Sequence, residues 1–342
     1  MEMKDLLARL TAAPSVSGTE GAAAETIKDL AKDLGGVAST DALGNLKIAI
    51  GTKGPGVLLL AHMDKIGYVV TGVDEATGFL RIDRCGGADA RVAPALRVTV
   101  LGKKALPGVI ISTPPHLAGP DAAKKAKPID ELAIDCGLPY EEIKDLVFPG
   151  DRAVVDAPLK SLAGTRVVSP YLDDCAGVAA ALRAAELVKA AGANAKADLV
   201  FTTREEVGGQ GADVAAFISD AKYAVAIDVS FAKAPGTPES VTATLGSGTM
   251  IGYAPVLSKA LSDRLVRLAK EKEIPYTIEV MGRSTGTDAD DALTAGAGKI
   301  TGLLSIPERN MHTPTEIVDT LDVEATAYLL AALIIDTQEE DA

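Results

Sequence analysis

The chain has 342 residues, 47% of them hydrophobic and 24% charged, which suits a large core and about two domains and excludes a disordered chain. Its net charge of −13 argues against nucleic acid and against an anionic membrane surface, both of which select basic faces. Three isolated cysteines, Cys85, Cys136 and Cys175, with no CxxC, argue against a disulfide framework and for a reducing compartment. No stretch approaches the ~18 apolar residues of a membrane span. MEMKDLLARL lacks the apolar run of a signal peptide, so a cytoplasmic protein is expected.

Residues 2–12 read as a first helix, closed by Pro14. Ser17 or Thr19 is placed to cap a second, whose Ile27, Leu30, Ala31 and Leu34 follow helical spacing up to Gly35 and Gly36. LKIAI and VLLLA then read as a hairpin around GTKGPG. A phosphate loop would need G-x-x-x-x-G-K-S/T, which the chain lacks, so a turn explains those glycines better. From Tyr68 the texture changes to short β-like runs, YVVTGV, GFLRID, LRVTVL and GVIIS, with one helical piece near Tyr140–Leu146. This predicts a small β-rich barrel or sandwich. His116, in the Pro-rich run STPPHLAGP, reads as a loop histidine without a catalytic role. After about Val167, helices near 174–190, 211–219, 256–272 and 323–336 alternate with the strands ADLVFTT and YAVAID and strands near 277 and 299. That alternation predicts an α/β fold, a layered sheet covered on both faces. Residues 1–67 and 166–342 would form one discontinuous domain with a β-rich module at 68–165 inserted. The acidic tail QEEDA is expected to fray.

The candidate site residues stand at element ends. LLLAHMDKIG, residues 58–67, reads as a buried strand that runs out at His62 and Asp64, two apart and so on one side. One nitrogen of His62 is then free for a metal, and Asp64 is placed to orient the ring or accept its other N–H. Asp173, in SPYLDDCAG, enters a helix, as an N-cap or as a ligand. Glu205 and Glu206 follow a buried strand in FTTREEVGG, and adjacent carboxylates repel unless a positive group sits between them. Asp228 closes an apolar strand in AVAIDVS. His312 lies in the loop IPERNMHTP before the last helix. In open α/β sheets, ligands gather at the carboxyl ends of strands. Two histidines with three carboxylates suit a pair of borderline ions such as zinc or cobalt. A bridging carboxylate would hold them ~3.5–4 Å apart, and the extra glutamate could move a proton to a leaving amine.

The motifs LTAAPSVSGTE, LGNL around Asn45, AHMDKIG, GGADARVAP, GVIISTPPHL, SPYLDDCAG, TTREEVGGQGA, AIDVS, GTDADDA and SIPERNMHTPTEIVD cover nearly the whole chain. In order and spacing they resemble the tetrahedral (TET) and glutamyl-aminopeptidase-type dinuclear metallo-aminopeptidases. The resemblance implies release of N-terminal amino acids from peptides with a free N-terminus, by a water held between two divalent ions per subunit. It makes His62 and Asp228 terminal ligands of one ion, Glu206 and His312 of the other, and Asp173 the bridge. Glu205 would be the general base, and Asp64 would orient His62. It implies a mixed sheet sandwiched by helices, with a barrel-like dimerisation domain at 68–165 that includes His116. Dimers would assemble into a hollow tetrahedral dodecamer whose sites face inward.

Two residues depart from the family pattern. Cys175 stands where many relatives carry Arg or a similar polar residue, and Lys65 where many carry Glu. Arg283, in MGRSTGTD, reads as a pocket cation or as a surface arginine. The small residues of GSGT, 246–249, would leave room for a bulky apolar side chain. Two other functions compete. One is a hydrolase of other substrates, since members of this family have been labelled endoglucanases; glycoside hydrolysis, however, uses two opposed carboxyls without metal. The other is a metal-binding assembly protein with a silent site.

Overall fold

The computed structural model describes residues 1–114, 116–117 and 125–340. Helices α1 (Met3–Ala12) and α2 (Gly21–Ala31) lead into β1 (Val37–Thr40), β2 (Leu46–Ile50) and β3 (Lys53–His62). Next come β4 (Gly67–Val73), β5 (Leu80–Cys85), β6 (Arg97–Leu101), β7 (Ala105–Ile111), β8 (Ala133–Asp135), the short α3 (Tyr140–Ile143) and β9 (Arg152–Val155). The chain continues through β10 (Lys160–Ser161), β11 (Arg166–Ser169), α4 (Leu172–Ala190), β12 (Ala195–Thr202), α5 (Gln210–Ile218) and β13 (Tyr223–Phe231). It finishes with β14 (Thr249–Tyr253), α6 (Lys259–Glu271), β15 (Tyr276–Val280), α7 (Asp288–Ala292), β16 (Ile300–Arg309), β17 (Glu316–Asp319) and α8 (Thr320–Asp336).

Eleven strands form one mixed sheet in the order β1-β2-β12-β3-β13-β16-β17-β11-β10, with β14 also on β16 and β15 on β14. Its centre, β12, β3, β13 and β16, is parallel. These strands are apolar along most of their length and buried on both faces, as a parallel sheet covered by helices requires. Leu58, Leu59 and Leu60 are each at most 1% exposed, worth ~1.5–3 kcal/mol apiece. Alanine-rich α4 has high helix propensity and side chains small enough to lie buried against β3, β13 and α8. The alanines of α5 and α7 cover the opposite face over Leu58, Leu60 and Val200. Between β3 and β10 the chain closes a separate six-stranded barrel, β4-β5-β8-β7-β6-β9. Its strands alternate: in β7, Leu106 and Ile110 point inward while Ala105 and Val109 face out.

The expected hairpin is not formed. β12 lies between β2 and β3, antiparallel to the first and parallel to the second. The largely apolar strands take the centre of the sheet, while β2, which carries Lys47, sits near the rim. Lys47 reaches back across to Asp198 of β12 at 2.8 Å. The glycines of the connection serve close approach instead. Gly51 has φ +61 and a Cβ there would lie 1.9 Å from the carbonyl of Ala195.

Three other expectations are revised. α2 starts without a side-chain cap, and the Ser17 hydroxyl donates to Asp64 at 2.7 Å instead. The tail is held as far as Glu340, which accepts from the Tyr223 hydroxyl at 2.8 Å and pairs with Arg264 at 2.5 Å; residues 341–342 lie outside the described residues. Strands β1, β8, β9, β10, β11, β14 and β17 and helix α7 add to the elements the sequence predicts. His116 is exposed, and most of its loop, 115 and 118–124, lies outside the described residues. Among the described residues no helix is long and apolar enough to cross a membrane.

Candidate metal centre

β3 delivers His62, 2% exposed, to the end of the sheet. Its Nδ1 lies 3.1 Å from the backbone oxygen of Asp64 and 3.6 Å from that residue's carboxylate. A carbonyl only accepts, so Nδ1 carries a hydrogen and Nε2 is the nitrogen turned into the centre. That Nε2 faces Asp173 Oδ1 at 3.1 Å and Asp228 Oδ1, from β13, at 4.0 Å.

Asp173 opens α4 with non-helical backbone, after Tyr171 in the left-handed region at φ 70. The two acids of the LDD motif divide their work. Asp174, not Asp173, caps the helix, accepting from the Gly177 amide at 2.8 Å. Asp173 is left free to turn its second oxygen to His312 Nε2, also at 3.1 Å. His312 in turn lies 3.4 Å from Glu206 Oε1. Glu205 and Glu206 form a tight turn after β12, entered through Arg204 at φ 61. Asp64 accepts from both of their amides, at 3.0 and 3.3 Å. Left-handed Tyr171, Arg204 and His312 each border or form the centre, a place where backbone strain collects.

Thus His62, Asp173 and Asp228 bring ligand atoms within 4.8 Å of one another, as do Asp173, Glu206 and His312. The five residues that the sequence offers as metal ligands lie together. Arg283 is exposed, and the GSGT run is held by Asp322, which accepts from the amides of Gly246 and Gly248.

Sequence reasoning passes over three supporting acids. Glu316 of β17 accepts from the amides of Asp173 and His312, at 3.2 and 3.1 Å, and so fixes a ligand of each group. Its signal is an acid opening the apolar strand EIVD. Asp288 accepts from the Thr202 hydroxyl at 2.5 Å and lies buried at the start of α7. Glu308, in β16, is buried with neither oxygen hydrogen-bonded among the described residues.

The electrostatics are those of acids crowded out of water. Burial pushes Glu205 up to about 8; His62 opposes this, and Asp288 and Glu206 add to it. Burial raises Glu206 against His312, and Asp228 well above the carboxylate range against His62. For Asp173 burial works upward, but His312 and His62 outweigh it and hold the carboxyl low. His312 is pushed up to about 11 by Asp173 and then Glu206. His62 rises well above its ordinary value although burial opposes it, because Asp173 and Asp64 face it. Protons on the imidazoles therefore stand where cations fit. Glu206 Oε1 makes the same point: it is buried with no hydrogen-bond partner among the described residues beyond the His312 Nε2 at 3.4 Å, and buried polar atoms require partners. The residues suit bound metal.

Two histidine–carboxylate groups sharing one aspartate, at the carboxyl ends of a helix-covered sheet, define a metal-dependent hydrolase. The model of the M42 glutamyl aminopeptidases matches residues 44–329. The chain belongs to that family and is a metal-dependent aminopeptidase. It is 32% identical to a lysyl aminopeptidase of Pyrococcus furiosus over 98% of both chains. An aminopeptidase of Desulfurococcus kamchatkensis superposes with a TM-score of 0.90 at 31% identity, covering 98% of this chain and 94% of that one. The TET1 peptidase of Pyrococcus horikoshii superposes with a TM-score of 0.87 at 33% identity, covering 98% and 100%, and is described as assembling into a tetrahedron or a large octahedral shell.

Proposed function

We propose that the chain releases N-terminal amino acids from peptides using two divalent ions, zinc or cobalt. His62 and Asp228 would hold one, Glu206 and His312 the other, and Asp173 both. The observation that carries this reading is the single carboxylate of Asp173 facing both imidazoles at 3.1 Å. Bound there, the ions would polarise the scissile carbonyl and acidify an attacking water. Glu205 takes the proton from that water and passes it to the departing nitrogen; burial suits it to hold a proton in transit. Asp64 keeps His62 in the tautomer that points a lone pair inward, and its carboxylate anchors the turn that carries Glu205. A glycoside-hydrolase reading is not favoured, because these carboxylates converge on two histidines rather than oppose each other across a sugar.

Residues 1–67 and 166–342 form the catalytic domain in this reading, and 68–165 an inserted dimerisation domain. A closed barrel with its own apolar core supports that division. By analogy with the P. horikoshii structure, dimers would build a homo-oligomeric shell, a tetrahedral dodecamer. The unpaired state of Cys85, Cys136 and Cys175 fits the cytoplasm.

The test is hydrolysis of aminoacyl-nitroanilides carrying Leu, Glu, Lys and Ala by metal-stripped protein, before and after reloading with zinc or cobalt. Metal-restored release from one of them is expected and would name the preferred residue. Glu205→Gln should keep the metal and lose a factor of ~10²–10⁴ in rate, the usual share of general acid–base catalysis. Silence across the panel with metal bound would instead favour the silent-site reading.

A further inference from the structure

The segment SVSGTE, before α2, carries no role in the chemistry above, yet it reaches the centre. Ser17 is 3% exposed, and its hydroxyl donates to Asp64 Oδ2 at 2.7 Å. The same carboxylate accepts the amide of Glu205 on Oδ1 at 3.0 Å and that of Glu206 on Oδ2 at 3.3 Å. Asp64 is fully buried, so these protein donors set the plane of its carboxylate. That plane sets the turn from which Glu205 projects.

What holds Ser17 there is a buried cation. Lys65, 1% exposed, donates from Nζ to the carbonyls of Leu10 at 2.9 Å, Thr11 at 3.2 Å and Ala13 at 2.5 Å. These carbonyls include the orphans at the end of α1, where a positive charge is favoured. The ammonium also lies 5.1 Å from the Tyr171 ring centroid, on the residue that turns the chain toward Asp173. The backbone of Lys65 pairs with the same segment, donating to Ser15 O at 2.9 Å and accepting from Ser17 N at 3.3 Å. The path is contiguous: Lys65 docks residues 10–17, Ser17 fixes Asp64, and Asp64 fixes Glu205.

We propose that Ser17, seated by Lys65, is a positioning residue for Glu205. This rests on Glu205 being the general base. Without the hydroxyl, Asp64 keeps only the amides of Glu205 and Glu206 as donors, and its hold on the turn that carries Glu205 slackens. Side chains that orient catalytic groups from behind are typically worth roughly 10–100-fold in activity or metal affinity.

The experiment is a double-mutant cycle on the metal-loaded enzyme, with Ser17→Ala, Glu205→Gln and the pair, reading kcat and KM on a nitroanilide that the wild type cleaves. Ser17→Ala should lower kcat roughly 10–100-fold with KM and metal content near wild type. On the Glu205→Gln background it should cost nothing further, because the base it positions is already gone. Lys65→Met should give the same kcat loss, non-additive with Ser17→Ala. Equal losses on both backgrounds would reduce Ser17 to a merely structural role and overturn the proposal, as would an unchanged kcat. Near-normal turnover by Glu205→Gln alone would instead sink the base assignment. Should Ser17→Ala fail to fold, Ser17→Cys, isosteric but a weak donor, reads the same coupling.

Discussion

The two halves of the centre are built from different material. The group His62, Asp173 and Asp228 stands on β3, on β13 and on the entry to α4, and all three residues are buried. The group Asp173, Glu206 and His312 borrows that same aspartate but takes its other members from a tight turn and a left-handed loop. The side chain of His62 is 2% exposed and that of His312 33%. A cleft of about 750 Å³, lined in part by Asp83, Asp89, Asp130 and Met311, opens beside His312. The inserted module approaches this half through Gly86, beside Glu206, and Gly87, beside His312. The sheet thus supplies a rigid half, and loops and barrel an accessible one. Precision and access, which conflict in one site, are divided between two.

Substitutions can break that contrast in order of expected effect. Asp173→Asn strikes both halves at once. It should release both metal equivalents on dialysis and lower turnover by ~10³-fold or more, the order expected when several kcal/mol of Lewis-acid stabilisation is lost. Retention of a full metal complement would refute the shared-ligand reading. Gly87→Ala strikes the loop half alone. A Cβ at Gly87 would lie 2.3 Å from His312 Nδ1, so the imidazole must shift. A misplacement of that size costs on the order of 10²-fold, and metal analysis should show one equivalent weakened and the other retained. An unchanged rate with both metals tight would mean the loop simply moves aside.

Glu308→Leu removes no candidate ligand and tests a buried acid in β16 near both halves. Burial, with Glu316 next, raises the Glu308 carboxyl well above its usual range. A carboxyl raised on folding binds a proton that the unfolded chain releases, so it costs stability increasingly as pH climbs from about 4.3 toward the folded value. The leucine should therefore stabilise by ~1–3 kcal/mol near neutral pH, and the gain should shrink toward pH 4. Denaturant unfolding at several pH values measures this; a destabilised variant at neutral pH would show that Glu308 has a partner in solution.

Much of this was legible in the chain because the candidate ligands sit where local patterns end. Each of His62, Asp173, Glu206, Asp228 and His312 terminates or adjoins an apolar run, and a charge at such a place is conspicuous. The division of the five between two groups was not legible from the residues alone, since it depends on which strand ends are neighbours. The missing hairpin has the same cause. β2 and β3 are adjacent in sequence, but β12 from residue 195 onward separates them, and nothing within LKIAIGTKGPGVLLLA records that insertion. Glu316 and Ser17 act through backbone amides and a buried hydroxyl, so their chemistry leaves only a polar letter in an apolar context. The choice of Asp174 over Asp173 as the helix cap turned on backbone angles at a single turn, which composition does not carry.

The order in which the ligands occur along the chain has a consequence for synthesis. His62 emerges early, but the second imidazole is residue 312, and Asp173 is tied to Glu316 in β17, the last strand of all. Domains generally fold as units, and during synthesis a unit can close only when its last segments have emerged. A growing chain can hold β3, β12 and β13 and still lack His312 and the strut of Asp173. On the proposed ligand set, the centre is therefore incomplete until the last strands of the chain have been made.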